Sequence, residues 1–216
     1  MVKRMQSHQI NVDNLSECIE NIERLRKIYD PRSEGIKIRI LFVGESPPKD
    51  APQNFFYNRT SMLYYATFLA FHLRFKVLEQ DFLKFFKNSG CYLYDLFEVP
   101  GMIIRGREQG GRIRASEFEK EKAKENLKKF ILSERPEIVI VVIKRVFHEI
   151  ESLLRKLKEQ GIIREYFGLP FPKDALSFTK YVNELFSILS YAPNSIQATT
   201  RMSLRHNYNR HGSSPR

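Results

Sequence analysis

Glu45 sits in the run Gly44-Glu45-Ser46-Pro47-Pro48, directly after the apolar residues Ile40, Leu41, Phe42 and Val43. A carboxylate there can accept hydrogen bonds or stabilise a developing positive charge, and two prolines stiffen the loop that carries it. The rings of Phe55, Phe56 and Tyr57 follow, and are expected to lie exposed beside the acid in a shared crevice. The competing reading of these letters is a strand that ends in an ordinary Pro-rich turn. A second acid, Asp95, stands inside the apolar segment CYLYDLF. An unpaired charge in such a segment is costly, so Asp95 requires a specific partner, for chemistry or for structure alone. In GMIIRGREQGGRIR, four glycines alternate with Arg105, Arg107, Arg112 and Arg114. A flexible loop of guanidinium groups suits a line of phosphates, with a solvated surface loop as the alternative.

Metal and cofactor chemistry find little support. His72 and His148 fall in helical segments with no carboxylate or Cys at ligand spacing. The two cysteines, Cys18 and Cys91, provide neither a disulfide framework nor the four thiolates of an iron-sulfur cluster. GESPP is not a phosphate-cradling glycine loop, and no Lys-Ser/Thr pair follows it. No cofactor and no metal are expected.

The elements that must position these residues follow from periodicity. Leu15, Ile19, Ile22 and Leu25 repeat at helical spacing after Asp13, a candidate cap, and Pro31 and Gly35 close that helix. Residues 40–43 form the continuous apolar run of a strand buried on both faces. Met62, Ala66, Leu69, Ala70 and Leu73 define a second helix capped by Thr60 or Ser61, and Phe82, Phe85 and Phe86 a third, ended by Gly90. Residues 91–97 read as a strand. Ser116 and Glu119 form a capping box for a helix whose apolar face is Ala123, Leu127, Phe130 and Ile131. The β-branched run at residues 138–143 is the clearest strand, and it leads into a helix carrying Val146, Ile150, Leu153, Leu154 and Leu157. A weaker strand at 162–167 precedes Gly168-Leu169-Pro170-Phe171-Pro172 and a last helix with Phe178, Val182, Leu185 and Leu189. Such alternation predicts an α/β fold: a single three-layer α/β/α domain over residues 1–190, with a mainly parallel four-stranded sheet. Parallel strands would bring GESPP, the Asp95 loop and LPFPKDA to one edge. Residues 191–216 carry four arginines, no acids and no apolar period, and are expected to be a disordered basic tail.

The 216 residues include 36 Lys and Arg against 25 Asp and Glu, a net charge of +11. That balance favours a polyanionic partner, nucleic acid first, with a generally Lys-rich surface that has no partner as the alternative. No apolar run approaches the length needed to span a bilayer, and the first residues lack the apolar core of a signal peptide. A cytoplasmic monomer without membrane attachment is expected.

From about Lys37 to Leu189 the chain resembles the uracil-DNA glycosylase superfamily, nearest the branch whose first motif begins Gly-Glu, without the cysteines of its iron-sulfur members. Gly44-Glu45-Ser46-Pro47-Pro48 is similar to that first motif, and Phe55-Phe56-Tyr57-Asn58 followed by Leu63 to the aromatic segment whose phenylalanine stacks on an extruded base. CYLYDLF resembles the strand that supplies a base-reading amide, with Asp95 at that place. IVIVVIKRV resembles the strand-to-helix unit before the second motif, and LPFPKDALSF the second motif itself. Phe171 stands where the family often has a histidine.

The resemblance implies base excision in DNA repair: hydrolysis of the N-glycosidic bond of a damaged or deaminated base, with DNA, duplex or single-stranded, as partner. It assigns chemistry to Glu45 and Asp95, base binding to Gly44, Ser46, Pro47, Phe56, Asn58 and Phe171, and nucleic-acid contact to Arg105, Arg107, Arg112, Lys173 and Leu176. Leu176 would be the wedge that fills the gap left by a flipped base. An ionised Asp95 suits an edge with two adjacent donors, whereas a protonated one would mimic the amide. The alternative is a non-catalytic nucleic-acid-binding module that retains the fold.

Overall fold

The computed structural model describes residues 12–49, 53–106, 108 and 112–190. Its strands are β1 (Ile40–Gly44), β2 (Cys91–Asp95), the short β3 (Met102–Ile103) and β4 (Ile113–Arg114), β5 (Ile138–Val141) and β6 (Glu165–Gly168). β1, β2, β5 and β6 form one sheet in the order β2-β1-β5-β6, and every neighbouring pair is parallel. The strand order reverses between β1 and β5, which places a crevice at the carboxyl ends of these two central strands.

The helices are α1 (Val12–Tyr29), α2 (Met62–Phe75), α3 (Phe82–Asn88), α4 (Glu117–Glu134), α5 (Lys144–Glu159) and α6 (Ala175–Ser190). Alternate strand residues face opposite sides, and this sorts the core in two. Ile40, Phe42, Cys91, Leu93, Ile138 and Ile140 pack with apolar residues of α1, α2, α3 and α6. Leu41, Val43, Tyr92, Val139 and Val141 pack with α4 and α5. The three-layer α/β/α architecture is the one the sequence pattern predicts. None of the helices among the described residues is long and apolar enough to cross a membrane.

Local signals set most boundaries. Ser61 accepts from the Tyr64 amide at the start of α2, and Ser116 and Glu119 close a reciprocal capping box on α4. α1 differs from expectation: it runs from Val12, so Asp13 lies in its first turn and not at its cap. β2 and β5 are also shorter than their apolar runs, which extend to Phe97 and Ile143. Beyond β2, Leu96 and Phe97 still donate to the carbonyls of Gly44 and Glu45, so the apolar run continues as an ordered loop against the end of β1. The weakest strand shifts to Glu165–Gly168, because Ile162 and Ile163 instead close the end of α5 by donating to Leu157. The expected disordered tail, residues 191–216, lies outside the described residues.

Candidate active site

A cavity of about 800 Å³ opens at the carboxyl edge of the sheet, where strand order predicts a crevice. Its lining includes Glu45, Ser46 and Pro47 after β1, Asp95 at the end of β2, Arg145 just after β5, and Phe171 and Lys173 in the loop after β6. Four segments separated in sequence, at or just beyond the carboxyl ends of their strands, therefore meet because those strands run the same way.

Glu45 lies on the cavity wall, almost wholly buried, in a defined hydrogen-bond network. Its Oε1 accepts from Nε of Arg145 at 2.7 Å and from the Ile104 amide at 3.0 Å, while Oε2 accepts from Nη2 of Arg145. The Arg145 side chain is 42% exposed and that of Glu45 only 5%. The guanidinium fork thus grips one edge of a buried carboxylate in the cavity wall. The Ile104 bond also ties the Arg/Gly loop to the acid.

Asp95 has its own arginine. Oδ2 accepts from Nη2 of Arg26, on α1, at 2.7 Å. Burial pushes the Asp95 carboxyl above its ordinary range; Arg26 opposes that shift and the charge of Glu45 adds to it. Gly44 makes this close approach possible: a Cβ at position 44 would collide with Asp95 Oδ1 and stand 3.5 Å from its Cγ. Gly44→Ala must displace the Asp95 side chain, and is expected to cost about 1–3 kcal/mol, the usual range for overpacking a tight interior. Thermal unfolding checks this as a fall in Tm of several degrees, and an unchanged Tm would show that Asp95 moves freely.

The aromatic segment departs from expectation. Phe55, Phe56 and Tyr57 are 2–3% exposed, not solvent-facing. Residues Phe56–Asn58 form a single 3₁₀ turn that folds its rings into the core, with Phe56 5.2 Å from Tyr57 and 5.4 Å from Phe86 between centroids. Tyr57 stacks on Tyr29 at 5.5 Å, and its hydroxyl accepts from the Leu93 amide at 2.8 Å, which pins the turn to β2 two residues before Asp95. Phe55 and Phe56 still form part of the cavity wall. Asn58 is exposed and is not among the cavity-lining residues. Gly44 lies beneath the lining as a spacer.

At the mouth, Lys49, Arg112 and Lys173 add positive charge, and Phe171 is 38% exposed. Asp174 accepts from the Ser177 amide at 2.8 Å and so caps α6, whose first turn presents Leu176 at 83% exposure. Arg105 stands away from the cavity wall and pairs with Glu149 at 3.3 Å. Arg114 bonds the Gly106 carbonyl at 2.8 Å, which shapes the loop. Arg107 lies outside the described residues. No group of three or more His, Cys, Asp or Glu among the described residues is arranged to hold a metal ion.

Sequence reasoning missed Arg145 and Arg26. Arg145 carried a usable signal, since it follows the clearest strand at the same sheet edge as Glu45. Arg26 carried none beyond the need of Asp95 for a partner, because it lies 69 residues away on a helix outside the strand-loop pattern. Comparison with protein-family models and with curated protein sequences gives no match for this chain.

Proposed function

We propose that this protein is a DNA N-glycosylase of the uracil-DNA glycosylase type, acting on a damaged or deaminated base in base excision repair. One observation carries the reading: Glu45, Asp95, Phe56 and Phe171 line a single cavity with a basic mouth at the carboxyl edge of a parallel sheet. The target nucleotide leaves the stack and enters this cavity, at a cost of a few kcal/mol that contact with the rings helps to offset. Leu176, apolar and exposed beside the mouth, fills the vacated position in the duplex. Asp95 lines the cavity with Oδ2 held by Arg26 and Oδ1 packed against Gly44, and a carboxylate in that wall favours a base that offers hydrogen-bond donors. As the bond breaks, positive charge develops on the sugar, and Glu45, fixed in place beforehand, stabilises it and orients water.

A second reading is a binding module without turnover. It is favoured by the absence of an imidazole beside Pro172, where Phe171 stands, and by the engagement of both carboxylates in ion pairs.

Labelled duplex and single-stranded oligonucleotides carrying uracil, hypoxanthine or xanthine, incubated with the protein and then treated with alkali, separate the two. Scission on one of these substrates, lost in Glu45→Ala, is the expected result. Tight, salt-sensitive binding with no scission on any substrate would favour the module. In either case the logarithm of affinity should fall linearly with the logarithm of salt concentration, and Lys173→Ala should reduce that slope by about one. An unchanged slope would remove Lys173 from the phosphate contacts.

A further inference from the structure

Breaking an N-glycosidic bond heterolytically leaves both bonding electrons on the base, so the pocket must meet a negative charge on the base as well as a positive one on the sugar. Among the described residues, four cations border the cavity: Lys49, Arg112, Arg145 and Lys173. Three of them are side chains of the exposed mouth. Arg145 differs, because Glu45 holds it through two hydrogen bonds and Glu45 is itself fixed by the Ile104 amide. A guanidinium has five N–H groups, and Glu45 takes one from Nε and one from Nη2. Three remain on a side chain that lines the cavity and is 42% exposed.

We propose that Glu45 and Arg145 act as one fixed dipole, in which the carboxylate stabilises the sugar cation and Arg145 is a catalytic residue that donates hydrogen bonds to the leaving base. The inference rests on the glycosylase reading and adds the residue that receives the leaving charge. In the step, the bond between C1′ and the base nitrogen breaks with its electron pair going to the base. Water oxygen then bonds C1′ and releases one proton to solvent. The base anion, held by Arg145, takes a proton from solvent on departure. No oxidant or further co-reactant is needed. The two charges of the pair are adjacent because one guanidinium edge grips one carboxylate, so they match the charge separation of the breaking bond without reorganisation.

A stabiliser of the leaving anion matters most when the base is a poor leaving group. Single-turnover cleavage is therefore measured for wild type, Arg145→Gln and Arg145→Lys on bases paired by acidity: uracil with the more acidic 5-fluorouracil, and hypoxanthine with the more acidic xanthine. Arg145→Gln is expected to slow the less acidic member by about 100-fold and the more acidic member by about 10-fold or less. Arg145→Lys, which keeps the charge, should restore much of that difference. Circular dichroism and melting of each variant identify any that has failed to fold, and Arg145→Lys keeps the comparison available if Arg145→Gln does. Equal losses on both members of a pair would overturn the role of Arg145 in leaving-group stabilisation and leave it as an anchor for Glu45, with the glycosylase reading intact. Cleavage of none of the four bases by wild type would overturn both.

Discussion

Arg26→Met is expected to destabilise the protein by about 3–5 kcal/mol at neutral pH, the range seen when one partner of a buried ion pair is removed. The side chain of Asp95 is 7% exposed and that of Arg26 18%, so the carboxylate left behind gains little from water. It also stays near Glu45, whose charge disfavours a second anion. The double variant Arg26→Met, Asp95→Asn is expected to recover most of the loss, because an uncharged pair of similar shape carries no orphaned charge. The pH dependence has a definite sign. In the folded protein the Asp95 carboxyl is already raised above its ordinary value of 3.8 by burial, against the pull of Arg26, and without Arg26 it rises further. A raised carboxyl binds its proton more tightly in the folded state than in the unfolded chain. Its contribution to stability is then fully present below the ordinary value and is lost as pH rises through the folded value. The deficit of Arg26→Met relative to wild type should be smallest at and below the ordinary carboxyl value of 3.8 and should grow as pH rises above it. Denaturant unfolding of both single variants and the double variant across this range measures it. A deficit under about 1 kcal/mol at neutral pH would show that the pair is replaceable by water.

Glu45→Gln is expected to lower the single-turnover rate of base release by about 10²–10³-fold, with oligonucleotide affinity changed by only a few-fold. The substitution keeps the size of the side chain and one acceptor oxygen, but removes the charge that the proposed mechanism sets against the sugar cation and turns an amide toward Arg145. Lys173 and Arg112, the phosphate contacts of the proposed reading, are untouched, so binding is expected to survive. Its effect on stability should be smaller than that of Arg26→Met, for a geometric reason: the cation left behind at position 145 is on the exposed side and is rehydrated, whereas the anion left behind at position 95 is not. Rate, affinity and melting temperature measured on the same preparation test all three statements. A rate within ten-fold of wild type would exclude Glu45 from the chemical step, and a parallel collapse of affinity would assign it to binding.

The division between what was legible and what was not follows residue chemistry. Glu45, Asp95 and Phe171 could be placed at one sheet edge because each follows a segment whose apolar run marks a parallel strand, and parallel strands share an edge. The rings of Phe55, Phe56 and Tyr57 were misread as exposed because a three-residue turn has no period to show which way it faces. Their direction is set by Phe86, Tyr29 and the Leu93 amide, contacts that only the packed chain brings within reach.

The sequence by itself determined the layers, the helices with their caps, and the edge at which the carboxylates gather, since period and capping are local properties that each segment carries alone. The tertiary structure decided the electrostatics of the site. Glu45 meets Arg145 across 100 residues and Asp95 meets Arg26 across 69. The position of Arg145 after the clearest strand marks its sheet edge but not its partner, and Arg26 is marked by nothing in the sequence, because an ion pair depends on distance and burial, which exist only once the elements are packed.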